Sequence, residues 1–340
     1  MSVFLVNAYC THRNPPALAF EHDLKARRDT SDPELARHLR GFQGFVMAGG
    51  KRQMTAVRYG VLRHIERVRH HLALEVDESQ LEELALWALE ANALLFLDDG
   101  TVRGPNGLVL VDPDTGDPED GAQVPYPLAA ERRKDATRVF LEQRGIRTPS
   151  HLPPVIDETE VEFRSPSDVL GRCCALVAVA ARAEGAQQSN QLPLEQIERR
   201  LPLALAHASP AERAFLAEEA PGEQAIINMM WRYEALGALM WSIQLLPELP
   251  LPTALVDVPL VTRTMLELDT SKPVQLRSTS EILDTLDMTF RLHWSTTDAR
   301  FKGEPSPAKI APGVVMERHH ALNWLVRFEG AEWDDVQTPT

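Results

Sequence analysis

Cysteine is scarce in this chain: Cys10, Cys173 and Cys174 are the only three in 340 residues. Three thiols cannot build a disulfide framework, and adjacent Cys173-Cys174 is not a C-x-x-C pair, so a disulfide-stapled scaffold is excluded. Cys173 and Cys174 fall in the apolar helical run DVLGRCCALVAVAARAE, where a small hydrophobe is wanted, so buried free thiols are expected, as in a reducing compartment. Long apolar runs are missing too. The longest, Ala235 to Leu246, is near half a membrane span, and MSVFLVNAYC has no basic stretch ahead of its short apolar one. These absences predict a cytoplasmic protein with no membrane partner. The sequence also lacks G-x-S-x-G, H-E-x-x-H and G-x-G-x-x-G, which removes the commonest hydrolase, zinc and dinucleotide signatures.

Positive charge is in deficit. The formal net charge is -14, divided as 13 basic against 19 acidic residues in 1–127 and 22 against 30 in 128–340. A field of that sign repels nucleic acid and favours basic partners. One basic stripe interrupts it: Lys51, Arg52, Arg58, Arg63, Arg67 and Arg69. Without interleaved exposed aromatics this is no nucleic-acid groove, and pairing with the chain's own acidic groups or with an acidic partner is expected. Gly49-Gly50-Lys51 beside it fails the phosphate-loop pattern, because Arg52 stands where Ser or Thr must bind magnesium. A tight turn is expected there.

Length and patterning predict two domains. Residues 1–111 read as a small α+β domain: strand-like Val3–Cys10 and Gly41–Ala48, helical spacing from Thr55, and alternation over His71–Val76. A capping box follows at Ser79/Glu82, then short apolar strands at Leu94–Leu97 and Leu108–Val111. A four-stranded sheet with helices on one face accommodates them. Residues 112–127 (DPDTGDPEDGAQVPYP) read as a linker. Residues 128–340 read as mainly α-helical. Helix starts are expected at Ser209-Pro210-x-Glu212 and Ser278-x-x-Glu281, and Glu223–Leu246 reads as one helix apolar on nearly every side.

Several motifs in the second part carry a family resemblance. ERRKDATRVFLEQRGI with a following LPP, EVEFRSPSDVLGR, WRYEALGALMWSI, EILDTLDMTFRLHW, VVMERHHALNWL and WDDV stand in order from about Glu131 to the end. Together they resemble the bacterial family called domain of unknown function 4272. The terminal Thr338-Pro339-Thr340 departs from the T-D-T-like triplet of that family. The resemblance implies no substrate, cofactor or catalytic residue.

Candidate chemistry therefore rests on residue types alone. Asp284, Asp287 and His293 on the helix from Ser278, with Glu317 and His320 on the last helix, could form a His/carboxylate pocket of a hydrolase-like enzyme. Glu317 and His320 form a Glu-x-x-His pair, but di-iron bundles need two such pairs and this chain has one. A solvated face plus a core histidine is the competing expectation. No cofactor or metal is expected. The favoured expectation is a non-enzymatic protein-binding protein, with an immunity protein that neutralises a basic secreted toxin as one candidate.

Overall fold

A computed structural model describes residues 2–340 and divides the chain into two compact units, Met1–Glu131 and Arg132–Thr340. In the first, β1 (Val3–Cys10), β2 (Asp23–Asp29), β3 (His70–Asp77), β4 (Ala93–Leu97), β5 (Val102–Arg103) and β6 (Val109–Val111) form one antiparallel sheet. Its order is β2-β3-β1-β4-β5-β6. Three helices accompany it: α1 (Pro33–Val46), α2 (Ala56–Arg67) and α3 (Leu81–Glu90). Alternation along β1 sends Val6, Ala8 and Cys10 to one face, where Leu84, Trp87 and Ala88 of α3 cover them. Tyr9 points to the other face, against Phe42 of α1 and Val61 and Ile65 of α2. Helices thus lie on both faces of six strands, where the sequence had predicted four strands covered on one.

Two local readings are corrected here. Gly41–Ala48 is mostly the end of α1, not a strand: Leu35, Phe42 and Val46 are buried at helical spacing, and Asp32 caps the start at Pro33. The capping box at Ser79 does not form. Asp77 instead accepts the Ser79 N–H and opens a short 3-10 turn ahead of α3. β2 was not predicted at all, because DLKARRD at a sheet edge has no buried face to leave a hydrophobic signature.

Residues 112–127 fold back on the first unit. Arg52 donates to the carbonyls of Phe45, Val46, Asp112 and Pro113, and Arg58, 3% exposed, donates to those of Gln53 and Gly116. Ala122 and Val124 join the α1/α2 core. Two arginines of the basic stripe are therefore internal clamps, and Arg63 pairs with Glu66 at 2.6 Å. Gly49 and Gly50 adopt left-handed φ of 64° and 90° in a turn, as expected. Arg58→Ala should leave two carbonyls unpaired and destabilise this unit by about 1–3 kcal/mol. Limited proteolysis then cuts within 112–121, and an unchanged cleavage pattern would refute the clamp.

The second unit is helical: α4 (Leu128–Glu142, beginning in the first unit's last residues), α5 (Pro166–Gln187), α6 (Leu194–Arg200), α7 (Ala204–His207), α8 (Pro210–Ala217), α9 (Glu223–Met230), α10 (Arg232–Ser242), α11 (Val258–Glu267), α12 (Thr279–Lys302) and α13 (Pro312–Leu325). Capping boxes form as expected at Ser209/Glu212 and Ser278/Glu281. Residues 223–246 are two helices broken at Trp231, and only α10 is buried all round. α5 is the central element, packed by α7, α9 and α10, with Cys173 and Cys174 in its core face. Gly171 allows that packing: a β-carbon there would lie 2.3 Å from the His207 ring. α10 packs on α13, and α13 pairs with α12.

Candidate functional site

Each residue of the predicted pocket has a different partner. Asp284 is largely exposed and accepts from Arg133 at 2.8 Å. Asp287 forms a two-pronged ion pair with Arg291 at 2.8 and 2.9 Å, both side chains fully buried. Arg291 also donates to the Pro153 carbonyl. His293 shares a 2.9 Å Nδ1–Nδ1 hydrogen bond with His319 of α13, so one imidazole donates and the other accepts. Glu317 accepts from Arg232 at 2.9 Å, and the His320 ring meets Trp333 edge-on at 4.6 Å. Helical geometry explains the separation. At about 100° per residue, Glu317 and His320 share one face of α13 while His319 points away from it.

The polar centre of this unit is one the sequence did not reveal. Trp333, 2% exposed in the segment after α13, lies with its ring centre 4.3 Å from the Arg172 guanidinium and 5.7 Å from that of Arg232. Arg172 pairs with Glu212, and Arg232 with Glu317. Asp334, beside Trp333, accepts the Ala211 N–H in the first turn of α8 at 2.9 Å. Glu212 had been legible only as a capping-box acid, and it does both jobs: it accepts the Ser209 N–H and binds Arg172. A neighbouring carboxylate, Glu234, accepts the Val256 N–H at 2.8 Å near the charge of Arg318. Burial raises the Glu234 and Glu317 carboxyls, opposed by the arginines beside them. Burial likewise lowers the Arg172 guanidinium, partly restored by Glu212.

The first unit holds a second cluster without sequence signature. Tyr9 Oη meets His38 Nε2 at 2.9 Å, and His38 lies 4.0 Å from the His71 ring. Arg28 can only donate, so His71 accepts at Nδ1 (3.1 Å) and gives its Nε2 proton to Asn7 at 2.9 Å. Five side chains from four elements (β1, β2, α1 and β3) meet here, which periodicity cannot announce.

Among the described residues no group of three or more His, Cys, Asp or Glu is placed to hold a metal ion. A surface hollow of about 440 Å³ is lined by Gln244, Glu267, Asp269, Lys272 and Gln275, and contains none of the five predicted side chains. No helix of the described residues is long and apolar enough to cross a membrane.

The domain of unknown function (DUF4272) family model matches residues 133–336, from within α4 through the Trp333 segment. The chain belongs to that family. No curated protein and no solved structure matches it. The match to DUF4272 begins with Arg133, the arginine on Asp284, and includes both arginines around Trp333.

The buried imidazoles set an acid limit. Burial lowers His64 and His319 from 6.5 to about 3, so the folded chain binds protons there more weakly than the unfolded chain. Their stabilisation is complete above pH 6.5 and disappears as pH falls toward 3. At pH 5 each should have lost about 2 kcal/mol. Urea midpoints measured from pH 8 to 4 should fall steadily below 6.5. A flat profile down to pH 4.5 would contradict neutral, buried rings.

Proposed function

We propose that this chain is a non-enzymatic cytoplasmic protein-binding protein whose partner is a basic protein. A secreted antibacterial toxin, such as a nuclease effector held by its immunity protein, fits that chemistry. The observation that carries this reading is where the charge resides. Among the described residues the buried set holds six arginines (Arg58, Arg133, Arg172, Arg182, Arg291, Arg318) and six carboxylates (Asp157, Glu160, Glu212, Glu234, Asp287, Glu317). Interior charges cancel, and the net charge of -14 is carried entirely by the accessible residues. Such a surface speeds association with a cationic protein and selects against acidic ones.

A hydrolase working through Asp284, Asp287, His293, Glu317 and His320 would need these five at one substrate, and their separate partners argue against it. The test is calorimetric titration of the purified chain against basic effector domains encoded beside its gene, at 50 and 200 mM salt. A one-to-one complex weakening at least tenfold with salt is expected. Absence of binding at low salt, or turnover of an ester or phosphoester library, would end the reading.

A further inference from the structure

One helix face departs from the rule that apolar side chains are covered and charges paired. On α3, Leu86 and Leu89 are 56% and 51% exposed. They sit one turn apart, flanked by exposed Glu82, Glu83 and Glu90 at spacings of three and four, so all five share the outer face. Among the described residues none of the three glutamates has an ion-pair partner, and LEELALWALE contains no basic residue. The opposite face, Leu84, Trp87 and Ala88, is already committed to the sheet, so the outer leucines are not spare core residues.

Three other exposed apolar side chains lie in mixed charge. Leu128 and Val139 share α4 with Arg132, Lys134 and Arg138, the last paired with Asp135, and Phe301 has the Arg300 guanidinium over its ring. On α3 the fringe has a single sign.

We propose that this face of α3 is the docking surface for the basic partner: the two leucines enter an apolar depression while lysines or arginines around it meet Glu82, Glu83 and Glu90. This rests on the reading of the chain as a binder of basic proteins and adds where the contact is made. Burying two half-exposed leucines supplies the apolar core of a contact, and unpaired carboxylates around it fix register without first breaking internal pairs.

The full-length chain is titrated at low salt with two probes, deca-lysine and an amphipathic 14-residue lysine/leucine peptide. The wild type should bind both, the lysine/leucine peptide more tightly. Leu86→Ser with Leu89→Ser should weaken that peptide at least tenfold and change deca-lysine less than twofold. Glu82→Lys, Glu83→Lys and Glu90→Lys together should weaken both at least tenfold. The same reversal at exposed Glu218, Glu219 and Glu223 of the helical unit should stay within threefold. Equal losses from the two reversals, or no effect of the serine changes, would overturn the assignment while leaving a basic partner in place. Failure of the wild type to bind either probe would remove the underlying reading instead. All substitutions are at exposed positions, and unchanged circular dichroism and melting exclude misfolding as the cause.

Discussion

Replacing Asp287 by alanine is expected to cost about 3–5 kcal/mol of unfolding free energy, because it strands the guanidinium of Arg291 in the core. Arg291 is among the largest fully buried side chains of the molecule, and both members of its pair have no solvent exposure. An unpaired ion at such a site cannot recruit water without opening α12. The cost therefore belongs to the orphaned charge more than to the lost attraction. A second variant separates the two. Asp287→Leu with Arg291→Met removes both charges at similar volume and should recover most of the loss, to within about 1–2 kcal/mol of the wild type. Urea unfolding followed by tryptophan fluorescence reads this unit, since five of the six tryptophans lie in it. If the double replacement is no better than Asp287→Ala, the pair does more than balance charge.

The next largest effect is expected at Trp333. Trp333→Ala removes a nearly buried indole that touches Trp324 and His320 and lies beside two guanidinium groups. The cavity and lost contacts should cost about 3–5 kcal/mol. Phenylalanine should cost less than half as much, because among the described residues the Trp333 Nε1 proton has no partner to lose. Around Trp333 the segment after α13 is held by scattered polar contacts: Arg164 to the Ala331 carbonyl at 2.7 Å and to Glu332 at 3.1 Å, Asp334 to the Ala211 N–H at 2.9 Å and Asn323 to the Gln337 carbonyl at 2.8 Å. Amide exchange in 331–337 should therefore quicken in Trp333→Ala well beyond the global loss of stability. Exchange that rises no faster there than in α5 would show that Trp333 does not anchor the segment.

What was legible in advance was local. Ser209 with Glu212, and Ser278 with Glu281, announce helix starts because donor and acceptor stand three residues apart. The reading failed where a local pattern fitted two structures. Gly41 and Gly44 between phenylalanines resemble a strand, yet the buried faces of Leu35, Phe42 and Val46 settle on a helix once α1 has a sheet to cover. Each of the five candidate side chains has a partner of its own. Rotation about α13 places His319, not His320, against His293, and the partner of Glu317 comes from 85 residues away.

The sequence by itself determined the composition of the two units, the family of the second, the starts of its main helices and the sign of the surface field. All of these follow from neighbouring residues or from sums over the chain. Tertiary structure alone decided which charges are neutralised inside and which face solvent. Such pairs as Arg133 with Asp284 and Arg172 with Glu212 join elements 151 and 40 residues apart. Partner choice is set by helix rotation and close packing, which no short stretch of sequence encodes.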